Sequence, residues 1–200
     1  LIDALSLPTL VITDTDATKL ENNKSVKTRP EKGKKYGFGS DTLKDWFDLK
    51  SKTLDEVLEL DDMDKVKGTV RVAYQCEISV SYGEGNKEAE VIPYTFEDAL
   101  VLSNVELFKK LGKSTGMVKK MHLAFNKPNL DECCQQLYEE LSGSKAQMAL
   151  DLLFDVEPEA LCIPKYIEEG FEWLKQELNL ATSDFIDTDD GSDVEVKGAD

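Results

Sequence analysis

The sequence predicts an α/β domain, and three of its segments carry this prediction. A short apolar run, Leu10 to Ile12, follows Pro8 and has the β-branched residues of a buried strand. Residues 69–80 alternate between apolar and polar side chains, as a second strand does. Apolar residues recur at helical spacing through residues 164–179, where Pro164 suits the first turn of a helix. Helices of this kind on both sides of a mostly parallel sheet indicate the α/β class.

The remaining elements are predicted from their caps, turns and apolar faces. Residues 19–40 contain three glycines and are expected to form a loop. A return strand over residues 89–93 is expected to pair with 69–80 as a hairpin. Caps and helical spacing predict the other helices at residues 41–47, 53–60, 95–111, 129–141 and from 144 onward.

Length and charge limit the organisation of the chain. Its 200 residues suit one substantial domain, assigned to residues 1–180. Residues 181–200 hold seven acids against one lysine and are predicted to form an acidic disordered tail. The net charge of −16 argues against binding nucleic acid through bulk charge. Without an apolar run of membrane-spanning length or a signal peptide, we expect no membrane association and a cytoplasmic location.

The cysteines and the single histidine argue against a zinc site. There is no Cys-x-x-Cys pair among Cys76, Cys133, Cys134 and Cys162, so free thiols in a reducing compartment are expected. His122 lies in a lysine-rich stretch without a recognisable catalytic partner.

Two carboxylates, Asp14 and Asp16, follow the first predicted strand directly. At the carboxyl edge of an open α/β sheet, where ligands usually bind, both side chains can reach one cleft. Two acids this close repel each other unless a cation lies between them, and a divalent cation with oxygen ligands is the simplest candidate. The alternative is that Asp16 caps a turn and Asp14 is merely exposed.

Three further segments add candidate residues. The basic segment 19–35 is either a solvated loop or a surface for a phosphate-bearing substrate; its candidate contacts are Lys24, Lys27, Arg29, Lys34 and Lys35. Glu97 and Asp98 lie in the first turn of the helix from Thr95, where acids serve capping and the helix dipole or supply a further metal ligand. Lys145 opposes the dipole of its own helix, so it is either an ordinary exposed lysine or held there by a partner.

The segment Val11 to Thr18 resembles the first motif of haloacid-dehalogenase-type phosphatases. That resemblance implies Asp14 as nucleophile, Asp16 as general acid/base and a magnesium ion between substrate and protein. In that family a lysine precedes an acidic pair, whereas here Asp61 and Asp62 come before Lys145.

A longer resemblance, over residues 1–180, is to the Toprim domain of the overcoming-lysogenization-defect (OLD) family nucleases. The blocks that carry it are Pro8 to Asp16, Gly39 to Trp46, Thr95 to Ala99, Gly143 to Leu150 and the closing helix Pro164 to Leu174. The resemblance implies a Toprim-like, mostly parallel sheet flanked by helices, with helical additions. It also implies a metal-dependent DNA endonuclease or nickase that normally follows an ABC-type ATPase domain, through which ATP, a helicase partner and homo-oligomerisation would enter.

The same resemblance assigns roles to individual residues. Asp14 and Asp16 match metal ligands, Glu97 matches a further acidic ligand together with Asp98, and Lys145 matches the lysine that stabilises charge at the scissile phosphate. Two Mg²⁺ or Mn²⁺ ions would then act in two-metal hydrolysis, with Lys145, Asp14 and Asp16 as the catalytic residues.

One element of the family is expected to be missing. Toprim domains begin with a strand that ends in a glutamate, and no such strand precedes residue 10. The first residue is Leu, which favours truncation before that strand, and the isolated chain is then expected to be catalytically impaired. The other interpretation is a degenerate Toprim module that only binds a partner protein.

Overall fold

The computed structural model describes residues 6–83, 85, 87–111, 115–140 and 145–186, with side chains up to residue 180. Its strands are β1 Thr9–Ile12, β2 Ala17–Glu21, β3 Lys24–Lys27, β4 Gly37–Phe38, β5 Val66–Lys67, β6 Val70–Ala73, β7 Ile78–Tyr82 and β8 Lys87–Val91. Its α-helices are α1 Leu54–Leu58, α2 Phe96–Ser103, α3 Val105–Phe108, α4 Gly116–Ala124, α5 Leu130–Glu140, α6 Lys145–Asp155 and α7 Lys165–Ile186. A π-helical turn spans Thr42–Trp46, and a 3₁₀ turn spans Pro158–Ala160.

The combination of helices and strands agrees with the predicted α/β class, but a mostly parallel sheet is not what the described strands form. They make three small sheets, ordered β1-β6-β5, β3-β2-β4 and β7-β8. Among these strands only β1 and β6 pair in parallel, and the other four pairings are antiparallel. Alternating side chains predict a strand but do not identify its neighbour, so the sequence did not show whether neighbouring strands pair in parallel or antiparallel.

The predicted helix 95–111 is divided at Asn104 into α2 and α3, and two predictions for the strand-forming segments were also wrong. Residues 19–40 are not simply a loop, because β2 and β3 form a hairpin there and β4 pairs with β2. The hairpin of β2 and β3 turns at Asn22-Asn23, and both residues have positive φ (51° and 60°). Asparagine tolerates this left-handed conformation, and a two-residue type I′ turn requires it at both positions. Residues 69–80 are not one strand either, since β6 and β7 belong to different sheets. The predicted hairpin is confirmed for β7 and β8.

The central sheet is buried against the last helix. Every residue of β6 is buried, as expected of a strand covered on both faces. Helix α7 packs on β1 and β6, and it does so at Gly170. A Cβ atom there would lie 2.8 Å from Cδ1 of Leu10 and 3.3 Å from Cβ of Ala73, so the glycine permits the close approach.

The helical half packs against itself through α4, α5 and α6. Its interior contains Met121, Leu137 and Met148, each at most 2% exposed. His122 contacts the carbonyl oxygen of Phe108 through Nδ1 at 3.0 Å, a structural role that agrees with its lack of a catalytic partner. All four cysteines are free thiols, as predicted.

The last helix extends beyond the predicted domain boundary at residue 180 and ends at Ile186. The rest of the predicted acidic tail lies outside the described residues. No helix within the described ranges is both long and apolar enough to cross a membrane.

Candidate acidic site

The candidate site begins at the carboxyl ends of the parallel pair. Ile12 of β1 and Ala73 of β6 are register partners at the ends of their strands, so the chain leaves both strands at one edge of the sheet. Asp14 and Gln75 each follow two residues later. The fully buried Gln75 donates a hydrogen bond from its amide nitrogen to Oδ1 of Asp14, and its amide oxygen accepts one from the backbone N–H of Thr15 at 3.0 Å. Gln75 therefore fixes the Asp14 side chain relative to its own backbone.

The carboxyl group of Asp14 lies in a negative, partly desolvated environment. Burial raises its pKa above the usual 3.8, and the negative charges of Asp16 and Glu97 add to this rise. The hydrogen bond from Gln75 and the positive charge of Lys145 act in the opposite direction. Four of the residues predicted from separate segments thus lie within electrostatic reach of one another.

Asp16 is held by the segment that follows β4. Its φ is +51°, a left-handed conformation that costs energy for any residue except glycine unless the surroundings enforce it. Gly39 does so, because its N–H donates to the carbonyl oxygen of Asp16 at 2.7 Å. A Cβ on Gly39 would lie 2.9 Å from Cβ of Asp16, which explains the glycine at this position. The adjacent Ser40 contacts the hydroxyl of Thr13 at 3.2 Å.

Glu97 and Lys145 form an ion pair at the opposite side of the site. Nζ of Lys145 donates to Oε2 of Glu97 at 2.7 Å, and the hydroxyl of Thr95 donates to the same oxygen at 2.8 Å. Burial alone would raise the pKa of Glu97, but these hydrogen bonds outweigh it and hold the pKa below the usual 4.5. Of the two interpretations of Lys145, the structure thus supports the one in which a partner holds the lysine at its helix N-terminus.

Asp98 serves as a cap, and its carboxylate is occupied by backbone donors. Its two carboxylate oxygens accept the backbone N–H groups of Tyr94 and Thr95, each at 2.7 Å. Burial of the side chain raises its pKa to about 6, although these hydrogen bonds act to lower the pKa. With both oxygens bonded to the backbone, Asp98 has the capping role that was one of its two predicted interpretations.

The predicted phosphate-contacting residues differ in their surroundings. Arg29 is not available, because its guanidinium group is paired with Asp131 at 2.5 Å and its side chain is only 15% exposed. Nζ of Lys27 lies 3.8 Å from the carboxylate of Asp16, so this lysine borders the acidic site. The exposed lysines of the segment, with no ion pair to any residue that the structure describes, are Lys24, Lys34 and Lys35.

The site has the donor chemistry of a hard cation site without a complete cage. Asp14, Asp16 and Glu97 offer only carboxylate oxygens, the ligands that Mg²⁺ and Mn²⁺ prefer. Their three negative charges exceed the two positive charges of Lys145 and Lys27. Within the described part of the chain, however, no three His, Cys, Asp or Glu side chains lie close enough together to form a metal-binding group. The residues fit a divalent cation in donor type and charge, while Glu97 is bonded to Lys145.

Several polar groups at the site were missed by the sequence analysis. Gln75 lay in a segment interpreted as one continuous strand, although its position two residues beyond β6 mirrors that of Asp14 beyond β1. Tyr94 and Tyr166 are buried, and their hydroxyl oxygens have no hydrogen-bond partner among the described residues. Burial raises the pKa of Tyr94 to about 12, and the negative charges of Asp16 and Asp14 add to this rise. No sequence motif marked either tyrosine.

Comparisons of the chain with protein-family models, with curated proteins and with solved structures found no match.

Proposed function

We propose that this chain is a Toprim-like, divalent-cation-dependent nuclease domain that hydrolyses DNA phosphodiester bonds. One observation carries the proposal: Lys145 and Glu97, from two distant segments, form an ion pair at 2.7 Å, and their charges act with that of Asp16 on the pKa of Asp14 beyond the end of β1. Acids whose pKa values are shifted by burial and by a specific charge partner are typical of functional sites.

In this proposal Asp14, Asp16 and Glu97 hold the cation. When bound, the cation supplies charge for a phosphate oxygen and lowers the pKa of a water molecule. The three carboxylates do not lie close enough together to form a cation site as they stand, so holding one ion requires their side chains to move toward each other. A second Mg²⁺ or Mn²⁺ needs further ligands, which the described residues do not supply. The glutamate of the Toprim pattern would be such a ligand.

The chain's own residues then orient the site. Gln75 holds the carboxylate of Asp14, and Gly39 holds the backbone of Asp16. Cation binding by Glu97 would weaken its pairing with Lys145 and leave the Nζ donors of the lysine for the phosphate oxygens. Lys145 is suited to this exchange, because its side chain is 46% exposed while that of Glu97 is 14% exposed. Its charge would stabilise the negative charge that develops during hydrolysis.

The DNA backbone would lie along the hairpin of β2 and β3. Lys24 and Lys27 of β3 offer positive charge there, and Lys34 and Lys35 offer it in the segment before β4. Arg29 is left out of the proposed surface because Asp131 neutralises it. Contacts of this kind carry no sequence information and weaken with salt. An ATPase domain, a helicase partner and oligomerisation belong to the same proposal through the OLD resemblance alone, and a cytoplasmic location stays a prediction from the sequence.

The deciding experiment is nicking of supercoiled plasmid with Mg²⁺ or Mn²⁺, by this chain and by the chain together with any residues that its gene encodes before Leu1. Asp16→Ala and Lys145→Ala should abolish nicking. Glu88→Ala and Lys87→Ala are matched controls, because both side chains are exposed on β8, and they should leave nicking unchanged.

The other outcomes assign the alternatives. Hydrolysis of para-nitrophenyl phosphate without nicking, lost in Asp14→Asn, would replace the proposal with the phosphatase. No activity in either assay, together with no Mg²⁺ or Mn²⁺ binding by calorimetry, would refute both enzymes and leave the partner-binding module.

A further inference from the structure

Helix α6 has two apolar sides, and the described residues cover one of them. Met148 and Leu152 are buried in the core that α6 shares with α4. A second apolar stripe has the i, i+3, i+4, i+7, i+8 spacing of one helix face and is exposed along its length; its members are Ala146, Ala149, Leu150, Leu153 and Phe154. Leu153 and Phe154 are 72% and 86% exposed. A helix that is apolar all round is normally covered all round, so this stripe calls for a partner.

The exposed stripe borders an apolar cavity of about 360 Å³ between the start of α2 and α6. Ala149 and Leu153 belong to both, so the stripe and the cavity form one continuous apolar surface. Leu100 of α2, and Pro158 and Leu161 beyond α6, also line the cavity. Contiguous apolar surface of this kind marks an interaction site.

The charge around this surface selects the chemistry of the partner. Residues 146–164 contain four acids and no lysine, arginine or histidine. Two of the acids, Glu157 and Glu159, are exposed directly before and after Pro158, which lines the cavity. The last carbonyl groups of α6 add partial negative charge at the same end of the stripe. An occupant that combines apolar and cationic groups is therefore complementary to this surface.

The same charge disfavours the other occupants. Lys145, before the stripe, is bonded to Glu97 and offers little positive charge to an anionic ligand. A second copy of this chain in a two-fold contact would bring its own four acids to the same surface. Residues 187–200 of this chain contain six acids and one lysine, so they would also be repelled.

We propose that the exposed stripe of α6 and its cavity bind a cationic amphipathic helix of a partner protein. Such a helix presents apolar anchors at i, i+3 or i+4 and i+7 and carries lysine or arginine beside them. The 11 residues of α6 extend over about 16 Å, enough to contact three turns of a partner helix. One apolar anchor would enter the cavity, another would pack against Phe154, and the flanking cations would face Glu157 and Glu159. This inference does not depend on the proposed nuclease function.

The test measures the fluorescence anisotropy of a labelled model peptide during titration with the full chain. The peptide has leucine at the i, i+3, i+4 and i+7 positions of a helix and lysine at the others. It should bind about tenfold more tightly than a peptide of the same composition whose order leaves no helix face apolar. A peptide with glutamate in place of every lysine should not bind, because the surface is acidic.

The double variant Leu153→Ser/Phe154→Ser removes the most exposed part of the stripe. It should weaken the binding of the leucine–lysine peptide by about tenfold or more, as the loss of central apolar anchors does at interfaces. Leu20→Ser/Met63→Ser is the matched control, since these residues are 79% and 83% exposed elsewhere on the chain. Circular dichroism establishes that each variant is folded.

The double variant Glu157→Lys/Glu159→Lys tests the charge beside the cavity. It should weaken peptide binding by about tenfold at low salt, and by less at high salt, where the charges are screened. Glu88→Lys/Glu90→Lys changes the net charge by the same amount at exposed positions on β8. This control should retain the affinity of the unchanged chain within about twofold.

No binding of the leucine–lysine peptide, or equal binding of the reordered peptide, would overturn the inference. Equal losses in the two charge variants would also overturn it, because the attraction would then come from the net charge of the whole chain. A dimer in sedimentation equilibrium of the chain alone, lost in Leu153→Ser/Phe154→Ser, would assign the surface to a second copy instead. Plasmid nicking tests the nuclease separately, so either proposal can fail while the other stands.

Discussion

Replacing Gly39 with alanine disturbs Asp16 without altering any acid. The new Cβ would lie 2.9 Å from Cβ of Asp16 and 3.1 Å from its carbonyl oxygen, closer than ordinary contacts. Overpacking of this kind costs about 1–3 kcal/mol, and the lower entropy of the unfolded alanine chain returns about 0.4–1 kcal/mol. Because the contacted atoms are Cβ and backbone, no side-chain rotation relieves the clash. We therefore expect a net loss of about 1–2 kcal/mol in the free energy of unfolding.

The effect on the site should exceed the effect on stability. A displacement of about 1 Å in a catalytic group costs on the order of 10²-fold in rate, so a shift of a few tenths of an ångström at Asp16 should reduce nicking by about tenfold. Urea denaturation measures the first quantity, and nicking at a temperature where the variant remains folded measures the second.

Gly37→Ala is the matched control for this experiment. A Cβ at Gly37 meets only the hydroxyl oxygen of Thr18, at 3.1 Å, and a side-chain hydroxyl moves easily. We expect this variant to retain both stability and activity. Equal behaviour of the two alanine variants, in either quantity, would refute the argument that Gly39 positions Asp16.

Three further predictions concern the neighbours of the site. Gln75→Leu removes the acceptor of the buried Thr15 N–H, and this should lower the free energy of unfolding, measured by urea denaturation, by about 1–3 kcal/mol. The same variant removes the donor to Asp14, so an NMR titration should show a further rise in the pKa of Asp14. An unchanged pKa would contradict the assigned hydrogen bond. Lys145→Met should raise the pKa of Glu97, which is lowered in the folded protein. A lowered pKa stabilises the folded state above pH 4.5, and this stability is lost as the pH falls through the folded-state pKa. In thermal melts from pH 7 to pH 3, Lys145→Met should therefore lose less stability on acidification than the control variant Lys87→Met. The double variant Lys24→Ala/Lys34→Ala should weaken DNA binding and reduce its salt dependence, measured by fluorescence anisotropy at several salt concentrations. Asp131→Ala, which releases Arg29, should not weaken DNA binding. A lower affinity of Asp131→Ala for DNA would contradict the proposed surface.

The sequence was most informative where one residue type satisfies a local rule. The cap of α2 could be predicted, because a Thr followed three residues later by an acid needs no tertiary information. The alternation of residues 69–80, followed by a glycine-containing turn and a return strand at 89–93, likewise predicted a hairpin, and β7 and β8 form it. A lysine held by a partner was one of the two interpretations of Lys145, and Glu97 is that partner.

The sequence was least informative where partners are distant along the chain. Gln75 looked like one more residue of an alternating strand, because its bond to Asp14 depends on the parallel register of β1 and β6. Arg29 was assigned to a phosphate surface, because nothing local reveals Asp131. The Asn22-Asn23 turn carried a recognisable signal that the neighbouring glycines and lysines obscured.

The bridge from Gln75 to Thr15 joins residues 60 positions apart, and the pair of Lys145 and Glu97 joins residues 48 positions apart. Contacts this distant require large loops to close before they contribute any energy, so they form late in folding and slow it. The helices of the second half can form early from local contacts, whereas the acidic edge exists only once the chain is nearly complete. A partially folded chain would therefore carry its acids and lysines separately, without the arrangement on which the proposed hydrolysis depends.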